Sequence, residues 1–129
     1  MGKYLGIDYG AQRIGLATAD AETHLASPLA AVGAHELAEI LKREGPFEAV
    51  VIGLPRGIDG QETAQTLAVR RFTDDVLGRI HGLEPVFQDE FGTSAMAEEQ
   101  LKEAGKPYTK GDIDAEAATI ILQDYLDAL

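Results

Sequence analysis

Residues 3–20, KYLGIDYGAQRIGLATAD, decide the fold of this chain. Two runs of strand-forming residues, 4–7 and 14–18, flank a glycine turn at 10–12, and this pattern predicts a hairpin of two buried or half-buried strands. The first strand carries a lone carboxylate, Asp8, which is costly to desolvate without a partner. Asp8 therefore either caps its own turn by accepting backbone N–H groups or holds a metal ion, and the hairpin alone leaves both options open.

Size and composition limit the classes of protein to which the chain can belong. Its 129 residues, 45% of them hydrophobic, predict a single domain over residues 1–129, and the lack of cysteine excludes disulfides and thiolate metal sites. No apolar run approaches the roughly 20 residues that a membrane helix needs, so we expect a cytoplasmic protein with no membrane partner. The net charge of −11 argues against tight binding of nucleic acid without metal ions.

Short strands and helices follow the hairpin, and their order predicts an α/β fold. Periodicity and turn residues predict an edge strand within 23–32, a helix over 35–44, a central strand at 49–53, a loop over 54–61, a helix over 62–81, a strand at 85–90, a helix ending at 104 and a last helix over 114–128. Thr93 or Ser94 is expected to cap the helix that ends at 104. We expect Arg70 and Arg71 to pair with acids one turn later in their own helix.

Acidic side chains stand at the edges of three predicted elements. Asp8 lies in the first strand, Asp89 and Glu90 end the last strand, and Asp112 and Asp114 stand at the start of the last helix. Oxygen ligands of this kind suit Mg²⁺ or Mn²⁺, and paired ions of that type promote phosphodiester cleavage. Neighbours on a strand point to opposite faces, and so do residues two apart on a helix, so only one acid of each pair can join a shared site. The spacing leaves open which one, and an acid at a helix N-terminus is also a common cap.

Four motifs, GIDYGAQRIGLA, VVIGLPRGIDG, QDEFGTS and DIDAEAATIILQDYL, together resemble the YqgF (RuvX) family, which is related to RuvC-type Holliday junction resolvases. The resemblance extends over nearly the whole chain. It implies an RNase H-like fold with a five-stranded mixed sheet flanked by helices. It also implies a metal-dependent hydrolase of phosphodiester bonds that acts in ribosome biogenesis on the 5′ end of pre-16S rRNA. Branched or single-stranded DNA is the second class of substrate.

The same resemblance assigns roles to individual residues. It implies that Asp8, Glu90 and Asp114 are catalytic and hold Mg²⁺ or Mn²⁺, which selects one acid from each pair. The remaining candidates are the supporting residues Asp89, Asp59, Asp112 and Thr93, and the basic residues predicted to contact nucleic acid, Arg56, Arg13 and Lys110.

Phe91 departs from the family pattern, which usually has an arginine after the glutamate. A phenylalanine cannot replace the planar guanidinium as a phosphate clamp. One interpretation is a ring that stacks on an unpaired base, as aromatic side chains do in single-strand binders. The other is a buried ring that closes the end of the sheet, and the general burial of phenylalanine favours it.

Other functions remain compatible with the sequence. A Holliday junction resolvase or other DNA nuclease would use the same acids, and the sequence is compatible with a homodimer that cuts two strands. A non-catalytic RNase H-like module that binds nucleic acid or protein is favoured by the low basic content, although retained acids would repel phosphates. A phosphate-binding hairpin of the actin-like ATPase kind is disfavoured, because 129 residues hold only one of the two lobes that it needs.

Overall fold

The computed structural model describes residues 2–79 and 85–129. Its elements are β1 Lys3–Tyr9, β2 Ile14–Asp20, β3 Ala26–Val32, α1 Ala34–Glu44, β4 Ala49–Pro55, α2 Ala64–Asp75, β5 Pro85–Glu90, α3 Thr93–Ala104 and α4 Lys110–Asp127. The strands form one five-stranded sheet in the order β3-β2-β1-β4-β5. The predicted mixed sheet flanked by helices is therefore confirmed.

The central position belongs to β1, which carries Asp8. It pairs with β2 antiparallel and with β4 parallel, and β4 pairs with β5 parallel. The C-terminal ends of β1, β4 and β5 therefore meet at one edge of the sheet, and β2 begins at that same edge. Open α/β sheets bind their ligands at such an edge.

Alternating side chains of the strands give the sheet two buried faces. One face, which includes Leu5, Ile7 and Ile52, packs against α1 and α2. The other face is covered by α4, whose Ile121 and Leu122 contact small residues of the central strands. Because the period of a strand is two, Asp8 shares its face with Gly6 and so lies on the α4 side.

Three glycines on neighbouring strands let α4 lie directly on the sheet backbone. A Cβ atom at Gly6 would lie 2.7 Å from the Cβ atom of Leu122, and one at Gly53 would lie 2.5 Å from an isoleucine methyl of α4. A Cβ atom at Gly15 would overlap the backbone carbonyl of Asp114. Such distances are shorter than any real contact, so the absence of side chains at these positions sets how closely the helix approaches.

The bounds of two helices, α2 and α4, differ from those that the sequence predicts. The prediction of a helix over 62–81 is wrong in its extent, because Thr63 caps α2, the helix ends at Asp75 and a short 3₁₀ turn follows. Residues 80 and 81 of that prediction lie outside the described residues. The last helix begins at Lys110 and not at 114, because Thr109 caps it and accepts a hydrogen bond from the N–H of Asp112.

Further corrections concern caps and ion pairs. Gly92 in the left-handed conformation is the N-cap of α3, so Thr93 and Ser94 are helical and do not cap it. β4 runs two residues beyond the predicted end, to Pro55. Arg70 donates hydrogen bonds at 2.8 and 3.2 Å to Glu62, the residue before the cap of α2, and not to an acid one turn later.

No helix within residues 2–79 and 85–129 combines the length and apolarity that crossing a bilayer requires.

The close approach of α4 yields a test of stability. Gly15→Ala would force a methyl group against the Asp114 carbonyl, and overpacking of this kind costs about 1–3 kcal/mol, so the midpoint of urea unfolding should fall. Gly78→Ala is the matched control, because its added methyl group would meet its nearest neighbour, the Thr73 carbonyl, at an ordinary 3.8 Å. Equal midpoints for the two variants would contradict the contact between α4 and β2.

Candidate active site

A cleft of about 430 Å³ opens at the edge of the sheet where β1, β4 and β5 end. Its walls include the three carboxylates Asp8, Glu90 and Asp114, which are 24 or more residues apart along the chain. The first turn of α3 forms another part of the wall. The fold therefore brings together the three acids that the family resemblance selected.

The alternation of β5 separates Glu90 from Asp89. Glu90 pairs in register with Pro55, and its carboxyl carbon would lie 3.1 Å from a Cβ atom at Gly53, which places it on the α4 face. Asp89 points to the opposite face, where its side chain is 70% exposed and accepts a hydrogen bond from Arg56 at 3.2 Å. Only Glu90 can therefore face Asp8.

Asp114 reaches the site because α4 passes over β2. Asp8 stands opposite Gly15 in the hairpin register, and the Asp114 backbone packs on that glycine. Since α4 begins at Lys110, Asp114 lies in its second turn and is not an end cap. The Nε of Arg13 donates a hydrogen bond to the Asp114 carboxylate at 2.7 Å, which holds that side chain at the mouth of the hairpin turn.

The hairpin turn does not use the Asp8 carboxylate. The Gly10 N–H donates to the Arg13 carbonyl at 3.0 Å, so the interpretation of Asp8 as a cap of its own turn is wrong. Burial, followed by the negative charges of Glu90 and Asp114, raises the pKa of Asp8 from 3.8 to about 7. Burial also raises the pKa of Glu90, and a hydrogen bond from Thr93 partly offsets this effect. The cleft therefore concentrates negative charge that the chain only partly compensates.

The donor chemistry of the cleft fits a hard divalent cation, because carboxylate oxygens are the ligands that Mg²⁺ and Mn²⁺ prefer. In residues 2–79 and 85–129, no three Asp, Glu, His or Cys side chains are grouped tightly enough to coordinate one ion as they stand. Asp114 is turned to Arg13 at 2.7 Å, and coordination of one ion by all three acids would require their carboxylates to come closer together.

Other predicted residues divide between the cleft and the surface. Arg56 lines the cleft, and Thr93 is buried beside Glu90. Asp112 accepts a hydrogen bond from the Thr109 N–H at 2.8 Å and belongs to the cap of α4. Asp59 is exposed on the loop after β4, and Lys110 is exposed at the first turn of α4, and neither lines the cleft.

Phe91 does not form the buried ring that its residue type favours. It is 68% exposed and lines the cleft directly after Glu90, because β5 ends at Glu90 and the chain bends before α3. Gln65, in the first turn of α2, also lines the cleft and was not predicted. Its position depends on how α2 packs on the sheet, and no local sequence pattern reports that.

Comparison with protein families decides the classification of the chain. The family model described as "RuvX: Holliday junction resolvase" matches residues 2–128. The chain belongs to the RuvX family. Relatives named "Putative pre-16S rRNA nuclease" include one from Chloroflexus aggregans, which is 40% identical over 96% of this chain and 92% of the relative. Another, from Fusobacterium nucleatum, is 35% identical over 98% of both chains.

A solved structure confirms the fold of this RuvX-family chain. RuvC of T. thermophilus, in complex with Holliday junction substrate, superimposes with a TM-score of 0.57 over 99% of this chain and 95% of that chain. The sequence identity is 19%, so the comparison establishes the RNase H-like fold and nothing about residue roles.

The raised pKa of Asp8 predicts how stability depends on pH. The pKa of Asp8 is about 7 in the folded state and ordinarily 3.8, so the folded state binds the proton more tightly than the unfolded state. The free energy of unfolding of the parent therefore falls as the pH rises from about 4 to 7. Asp8→Asn removes the charge, and at pH 8 in EDTA it should raise the free energy of unfolding by on the order of 3 kcal/mol.

This gain should be nearly lost near pH 4, where the parent carboxyl is protonated in the folded state and about half protonated in the unfolded state. Urea unfolding at both pH values measures the difference, and Asp59→Asn, at an exposed loop acid, is the control that should follow the parent. A gain for Asp8→Asn that is equal at the two pH values would contradict the buried charge.

Proposed function

We propose that this protein is a metal-dependent nuclease, and that Asp8, Glu90 and Asp114 are its catalytic and metal-binding residues. The observation that carries this proposal is the burial of Asp8 beside two further acids, which raises its pKa to about 7 in a cleft at the C-terminal edge of the sheet. Carboxylates whose pKa is raised by burial and by neighbouring charges cluster at functional sites. A purely structural cleft would gain nothing from this repulsion.

Each part of the chemistry can be assigned to residues of the cleft. The three carboxylates would hold Mg²⁺ or Mn²⁺, which supplies charge stabilisation and an activated water for phosphodiester hydrolysis. Arg13 orients the Asp114 carboxylate, and the Thr93 hydroxyl orients that of Glu90. Arg56, at the end of β4, is placed to contact a phosphate of the bound strand, and Asp89 holds its guanidinium at 3.2 Å.

The proposed substrate is the 5′ end of the 16S rRNA precursor, in the cytoplasm during ribosome biogenesis. This assignment is supported by the names of relatives that match at 35–40% identity over nearly the whole chain. A second candidate is branched DNA, which is supported by the family description and by the RuvC complex with a Holliday junction. Symmetric cleavage of two strands of such a junction would require a homodimer.

Adjacent acids on β5 provide a matched test of the site. Glu90→Gln should lower the rate of cleavage of a 5′-extended 16S rRNA fragment by more than about 100-fold, since even outer partners of metal ligands are worth 10–100-fold. Asp89→Asn, on the opposite face, removes the charge of an exposed ion pair but keeps an oxygen that can accept from Arg56, so its rate should stay within about fivefold of the parent. Gel assays with Mg²⁺, Mn²⁺ or EDTA measure both rates, and a four-way DNA junction in parallel tests the second candidate.

Equal loss of activity in the two β5 variants would contradict the assignment of the site to one face. If the parent protein instead binds RNA without divalent metal and leaves it intact, the result would favour the non-catalytic binding module.

Metal binding can be tested without turnover. Mn²⁺ should raise the melting temperature of the parent, because a ligand at 100 times its dissociation constant stabilises the folded state by about 2.7 kcal/mol. Asp8→Asn should lose most of this response, and Asp59→Asn should keep it. A parent that melts at the same temperature with and without Mn²⁺ would exclude the proposed metal role of the cleft.

A further inference from the structure

Two apolar side chains stand exposed beside the carboxylate cleft. Phe91 is 68% exposed at the end of β5, and Ile58 is 91% exposed on the loop that leaves β4. Both line a shallow recess of about 260 Å³, together with Gly57 and Gly60 of that loop. Large apolar side chains that are left in water at the rim of a functional cleft often mark a contact surface for a ligand.

The recess is continuous with the carboxylate cleft. Arg56, Glu90 and Phe91 line both of them, so a ligand in the recess lies next to whatever the acids hold. A ligand in the recess must tolerate the concentrated negative charge of the acids, and it contacts the flat ring of Phe91 and the aliphatic side chain of Ile58. A nucleobase has an uncharged, planar face that suits such a surface, whereas an acidic peptide or a free phosphate does not.

We propose that Phe91, with Ile58 in the same recess, is a stacking platform for one unpaired nucleobase next to the phosphate at the carboxylate site. This inference rests on the proposed nuclease function and extends it to a substrate class: a polynucleotide that is single-stranded at the point of cleavage. Arg56, between the recess and the cleft, contacts the phosphate that joins that base to the scissile position.

A fluorescence experiment tests the contact directly, since the chain contains no tryptophan. Phe91→Trp places a single indole on the platform, and Leu25→Trp is the matched control, because Leu25 is 70% exposed just before β3, at the edge of the sheet opposite the cleft. A single-stranded RNA oligonucleotide in Ca²⁺ should quench the indole at position 91 and leave that at position 25 unchanged. A fully paired duplex of the same sequence should quench neither.

Kinetics give a second measurement on the intact enzyme. Phe91→Ala should raise KM for a single-stranded substrate by roughly 5- to 150-fold, which corresponds to the loss of one stacked base. Phe91→Tyr keeps an aromatic ring and should have the KM of the parent. A substrate with an abasic nucleotide at the proposed stacking position should bring the parent to the KM of Phe91→Ala and have no further effect on that variant. Circular dichroism and melting temperature verify that the exposed substitutions leave the fold intact.

The outcomes separate this inference from the function on which it rests. Equal quenching at positions 91 and 25, or a Phe91→Ala variant with the KM of the parent, overturns the base platform. If Glu90→Gln still abolishes cleavage in that case, the nuclease function stands without the platform. If the parent shows no cleavage, and single-stranded RNA still quenches only the indole at position 91, the nuclease proposal is wrong and the platform belongs to a binding protein.

Discussion

The contact between α4 and the bare backbone of the central strands is the constraint on which the site depends. Gly6, Gly15 and Gly53 lie on three neighbouring strands, and a side chain at any of them would push the helix outward. Because Gly15 stands opposite Asp8 and beneath Asp114, the same contact that packs the core also sets the separation of two acids. The structure of the core and the geometry of the cleft are therefore not independent.

The electrostatics of the cleft oppose the stability of the fold. Asp8 is desolvated beside Glu90 and Asp114 in a chain whose net charge is already −11, and its pKa of about 7 reflects the free energy of that arrangement. The chain offsets this repulsion only in part, through the ion pair of Arg13 and the hydrogen bond of Thr93. A cation that entered the cleft would relieve this repulsion, so the proposed metal binding would be coupled to folding.

The end of β5 assigns three consecutive residues to three roles. Asp89 points to the α2 face and holds Arg56, Glu90 points to the α4 face and joins the acids, and Phe91 leaves the strand and remains exposed. This division follows from the pleat of one short strand that stops at Glu90. A shift of register by one residue would exchange the two acids and take Glu90 out of the cleft, so the pairing of β5 with β4 is as important as the residues themselves.

Local sequence determined the hairpin, the order of the elements and the bounds of β5, because strand periodicity and glycine turns act over a few residues. The family motifs, and not spacing, selected Glu90 and Asp114 from their pairs. Only the tertiary structure decided which face each acid occupies, that Arg13 holds Asp114, and that Phe91 lies in water. These features depend on contacts between residues far apart in the chain, such as the 101 positions between Arg13 and Asp114, and local patterns carry no information about such contacts.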